Sequence, residues 1–158
     1  MNARSTCNTI AALVAVLVLG SVGDALAQRG GFVPGRHDIL IDSFQLSRDQ
    51  ERAVKTILDD ASKTAAPVRE AILEARAGIL AAIQAARPQE DIDAAAQAYA
   101  VQSTAMAEIE MRALAKIVQT LTPEQRTNQA AVLSTFRLMR GAFINKNWNE
   151  APNPDKGY

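Results

Sequence analysis

The chain has 158 residues, 17 of them basic and 17 acidic, and therefore no net charge at neutral pH. A nucleic-acid binder shows a basic excess and stacks bases on aromatic side chains, which make up only 4% of this chain; that partner class is excluded. The length suits a single domain.

Residues 1–27 read as a signal peptide. Arg4 and the amino terminus supply positive charge, an apolar run extends from Ile10 to Leu19, and Ala25-Leu26-Ala27 has the small-x-small form cut by signal peptidase. The apolar run is about ten residues, whereas a spanning helix needs about 20, so cleavage after Ala27 and no stable membrane insertion are expected. The expected location is the periplasm. Cys7, the single cysteine, precedes the apolar run and leaves with it. The mature chain then has no disulfide, thiol nucleophile or thiolate ligand. Removing Arg4 and Asp24 leaves 16 residues of each sign.

Residues 28–45 read as an irregular arm, with Gly30, Gly31, Pro34 and Gly35 but no sustained period. Its apolar patch, Ile39-Leu40-Ile41 and Phe44, is expected to dock on helices.

Residues 46–144 carry the helical domain. Ser47-Arg48-Asp49-Gln50 fits a capping box, in which the hydroxyl accepts from the backbone three residues on and the glutamine reaches back. Apolar residues then recur in steps of three or four at Val54, Ile57, Ala61, Ala65, Val68, Ile72, Ala75, Ile79, Ile83 and Ala86. Pro67 interrupts the helix but not the phase, which predicts either one bent helix or two helices in line. A turn at Arg87-Pro88-Gln89-Glu90 follows. A second stripe, Ile92, Ala95, Tyr99, Gln102, Met106, Ile109, Ala113 and Ile117, predicts a helix of about 30 residues, roughly 45 Å long. Thr122-Pro123-Glu124-Gln125 is a second capping box with proline at the first helical position. The helix it starts is expected to bury Ala130, Leu133, Phe136, Met139 and Phe143. Residues 145–158 read as a flexible tail.

Both boxes follow a leucine. Leu46 and Leu121 cannot staple to the fourth helical position, since Glu51 and Arg126 stand there, so they must pack elsewhere in the fold. Two Leu-Ser/Thr-x-x-Gln motifs about 75 residues apart, a signal peptide and a long helical hairpin between them resemble the Spy/CpxP family of periplasmic proteins. The resemblance covers about residues 44–143. It implies an all-α fold with a long bent hairpin, flanking shorter helices and an antiparallel dimer that forms a curved cradle. It also implies an ATP-independent chaperone of unfolded or partly folded proteins, or a regulator of envelope-stress signalling; the alternative expectation is a periplasmic heavy-metal sensor or resistance protein, or a regulatory subunit of a signalling system with a sensor-kinase or anti-sigma partner. Relatives in the same superfamily bind metals and serve in metal resistance.

The residues offer little other chemistry. The helices hold no His or Cys, His37 is the one histidine, and Met106 and Met111 diverge around their helix, so no metal site and no cofactor are expected. Asp59, Asp60, Glu70, Glu74, Glu108 and Glu110 lie at the spacings of solvated helix faces. Glu51–Lys55, Asp59–Lys63 and Glu108–Arg112 read as ordinary pairs one turn apart. No nucleophile-base set or phosphate loop is present, and no enzyme is expected. Arg69 and Arg76 flank Ile72, Ile79 and Ile83, a basic and apolar face suited to weak client binding.

Overall fold

The computed structural model describes residues 33–151. The leader and cleavage point expected from the sequence, the first residues of the arm and the last seven of the tail lie outside them. The described residues contain five helices and no strand: α1 (Arg36–Phe44), α2 (Arg48–Gln84), α3 (Gln89–Thr120), α4 (Pro123–Arg126) and α5 (Gln129–Met139). The long helices α2 and α3 fold back on each other as a bent hairpin, with the short helices gathered at its open end.

Pro67 lies inside α2, which runs unbroken for 37 residues. A single continuous helix is therefore the outcome, carried across the missing N–H by burial of Ala65, Arg69 and Ile72 on both sides of the proline. At the hairpin tip, Arg87 N–H donates to Ala82 O at 3.0 Å, and Ala86 takes the left-handed conformation, φ 47°, that closes such a helix end. Arg87 then pairs with Asp91 across the start of α3, at 2.9 Å.

The core is confined to the open end. Leu40, Phe44, Val54, Leu58, Ile72, Met106, Ile117, Leu138, Met139 and Phe143 meet there. It ends at Ile72 on α2 and at Met106 on α3, and no residue from 73 to 105 is buried. The distal half of the hairpin is a two-helix seam, half-buried along Ala75, Ile79, Ile92, Ala95 and Tyr99.

Several expectations are corrected. The arm is helical over α1, whose first amides have partners in the C-terminal segment: Arg36 N donates to Asn149 O at 3.1 Å and His37 N to Asn149 Oδ1 at 2.8 Å. Asn149 approaches so closely that a Cβ on Gly35 would stand 2.6 Å from it, which requires glycine at that position. The beginning of the tail is packed rather than loose, and Trp148 is buried. The last long helix is broken by Thr127-Asn128. Asn128 caps α5 afresh, accepting from Ala131 N at 3.1 Å, and the new phase buries Ala131, Thr135, Leu138 and Met139. Ala130, Leu133 and Phe136 face solvent instead. Among the surface pairs, only Glu108–Arg112 forms as expected; Lys55 pairs with Asp59 and Lys63 with Asp60.

Candidate functional site

The two motifs close the open end of the hairpin. Each hydroxyl caps as the sequence predicts: Gln50 N donates to Ser47 Oγ and Gln125 N to Thr122 Oγ1, both at 3.3 Å. Each glutamine returns the bond, accepting from the backbone N–H of its own cap at 2.9 Å. The carboxamides also meet each other. Gln50 Nε2 donates to Gln125 Oε1 at 2.8 Å and Gln125 Nε2 to Gln50 Oε1 at 3.3 Å. The remaining amide protons go to helix ends, Gln50 to Thr120 O and Gln125 to Phe44 O, both at 2.9 Å. Leu46 and Leu121 are buried in the core beside them. The starts of α2 and α4 and the ends of α1 and α3 are thus tied through two side chains, with Pro123 at the first position of α4.

A second polar cluster straps residues 140–150 to this base. Arg36, only 3% exposed, donates to Leu138 O and Trp148 O, each at 3.1 Å, and to Glu150 O. Arg69 donates to Phe143 O at 2.8 Å and Asn145 O at 3.0 Å. Trp148 Nε1 donates to Asp59 Oδ1 at 2.8 Å, and its ring packs edge-on against His37. Lys55 chiefly, with Trp148, holds the Asp59 carboxyl below its ordinary range. Glu110, expected on a solvated face, is buried beneath the strap. Burial pushes its pKa up to about 7, against the opposing pull of the Gly141, Phe143 and Ala142 amides and of Arg36.

The five residues predicted to form one client-binding face are divided. Arg69 and Ile72 are buried at the base, the arginine in service of the strap. Arg76 lies 5.4 Å from the centre of the Tyr99 ring and donates to its hydroxyl at 3.3 Å, which lowers the tyrosine pKa. Ile79 is half-buried in the seam, and only Ile83 is open to solvent. The exposed large apolar residues of the distal hairpin are Leu73, Leu80, Ile83 and Val101, half or more of each accessible. Leu73, Leu80 and Val101 lie off the stripe that the periodicity selects, so the helical period alone does not mark them. At the base, Leu133 and Phe136 are also exposed and line a groove with Leu114 and Val132.

No helix of the described residues is long and apolar enough to cross a membrane. Nor does any group of three or more His, Cys, Asp or Glu among them come together as metal ligands. The His37 ring lies between Trp148 and the Glu51 carbonyl, 3.2 Å from Nε2.

A strand-free helical hairpin, with its open end closed by paired Leu-Ser/Thr-x-x-Gln caps, defines a Spy/CpxP-like helical protein. Within that superfamily the chain belongs to the heavy-metal resistance family, whose model matches residues 9–128. No curated protein and no solved structure matches it.

Proposed function

We propose that this protein is exported to the periplasm and there holds partly folded proteins without nucleotide, as a non-enzymatic member of its family that acts under metal stress. The observation that carries this reading is the distal hairpin, where no residue from 73 to 105 is buried and Leu73, Leu80, Ile83 and Val101 stand open to solvent. Exposed apolar side chains set among Glu70, Glu74, Arg76, Arg87 and Glu90 give weak, reversible contacts with many sequences. An antiparallel second copy would cover part of the thin seam and continue the surface as a cradle.

The test is suppression of aggregation of a chemically denatured, unrelated protein by the processed chain without ATP. Suppression is expected, and it should weaken when Leu80 and Ile83 are replaced by serine. Undiminished aggregation would overturn the reading. Sedimentation at micromolar concentration tests the dimer.

The family match supports a second reading, a periplasmic heavy-metal sensor or resistance protein, or a regulatory subunit for which we propose a sensor-kinase or anti-sigma partner. Calorimetric titration with zinc, nickel and copper tests it, and silence with all three would remove it.

A further inference from the structure

The break at Thr127-Asn128 turns one side of α5 away from the core and leaves an apolar groove against α3. Leu114, Val132, Leu133 and Phe136 line it, with Arg126 and Gln129 at its edge, and its volume is about 350 Å³. Leu133 is 53% and Phe136 43% exposed. Basic side chains predominate beside the groove, with the Glu124 carboxylate two residues before Arg126 and within reach of its charge. Arg137 and Arg140 follow Leu133 and Phe136 by four residues each and are exposed. Neither they nor Arg126 form an ion pair among the described residues. No carboxylate occurs in residues 127–149.

We infer that this groove docks an acidic amphipathic segment of another protein, its apolar side chains entering between α3 and α5 and its carboxylates meeting Arg126, Arg137 and Arg140. The charge pattern sets the sign of the partner, because a basic segment would bring like charges together while an acidic one finds guanidinium groups that no salt bridge occupies, suited to two-point carboxylate contacts. The concavity sets its class. A bilayer surface would lie across the rim and leave the floor of the groove wet, whereas side chains of a helix or extended segment fill it. The inference stands apart from the hairpin reading, since it uses different residues and a dedicated partner rather than many clients.

The probe is a synthetic helical peptide with leucines on one face and glutamates on the other, titrated into the full processed chain and read by fluorescence anisotropy. Saturable binding is expected, weakening as salt rises. The L133S/F136S variant should bind at least about tenfold more weakly, since full burial of one such side chain exceeds a tenfold change in Kd. The R137E/R140E variant should weaken it as well. Both pairs lie at the surface, so circular dichroism should show the same helix content, and aggregation suppression by the distal hairpin should persist. A matched peptide with lysines in place of glutamates should not bind.

Equal binding of both peptides, no binding of either, or binding unaffected by both variants would overturn the inference. So would tighter binding to anionic phosphatidylglycerol vesicles than to the peptide with the same dependence on Leu133 and Phe136, or a shift from dimer to monomer in L133S/F136S, which would assign the face to a second copy.

Discussion

Gln50 and Gln125, 75 residues apart, each spend their carboxamide on the other's motif: two amide bonds run between them, at 2.8 and 3.3 Å. Each also caps its own helix and holds the end of a third. Replacing either with alanine removes one partner from several part-buried groups, so each variant should lose about 1–3 kcal/mol. In a double-mutant cycle the pair should show a coupling of about 1 kcal/mol, read from urea midpoints, and strict additivity would show that the glutamines act separately. Thr122→Ala should cost about 1 kcal/mol as a plain cap loss.

Glu110 gives the protein a pH dependence opposite to that of most carboxylates. Its folded pKa is raised to about 7 from an ordinary 4.5. Between those values the folded chain keeps a proton that the unfolded chain has released, so stability falls as pH rises through the window. The full effect is on the order of 3 kcal/mol. Glu110→Gln keeps an acceptor for the strap amides and should flatten the profile, with the gain over wild type present at pH 8 and small at pH 4. Trp148, the single tryptophan, reports the strap by fluorescence. An unchanged profile in the glutamine variant would assign the dependence elsewhere.

Ala86 holds a backbone conformation, φ 47°, that costs an L-residue about 1 kcal/mol or more. Ala86→Gly should relieve most of that and raise the melting temperature, despite the added freedom of the unfolded chain. A lower melting temperature would show that the tip is not strained.

Arg69 should behave as a structural residue and not as a contact for clients. Arg69→Met deprives Phe143 O and Asn145 O of their donor while filling similar space. Limited trypsin digestion should then cut faster at Arg140 and Lys146, with aggregation suppression per folded molecule unchanged. Lost suppression with an intact strap would return Arg69 to the binding surface.

What was legible in the sequence was local. Ser47 with Gln50 and Thr122 with Gln125 are complete signals within four residues, and the steps of α3 from Ile92 to Ile117 need only the helical period. The burial of Leu46 and Leu121 followed from what could not staple them. What escaped was decided far along the chain. Helix α1 hid in a glycine-rich arm because its amides are capped by Asn149, 112 residues away for His37. Arg69 looked like a surface cation because its carbonyl partners stand 74 and 76 residues on. The displaced face of α5 did have a signal: Asn128 is a strong cap residue within an apparently continuous pattern, and a restart there changes which apolar residues face inward. Without that one break, the helical period places Leu133 and Phe136 in the core.

Because interior packing stops at Ile72 and Met106, the molecule behaves as a lever rooted at one end. Amide hydrogen exchange should divide accordingly, slow from α1 through the first half of α2 and quick toward Ala86, since distal helix turns open without disturbing the root. Under the holding function proposed above, a free end whose turns open readily would conform to dissimilar shapes, while the glutamine-tied root conserves the fold.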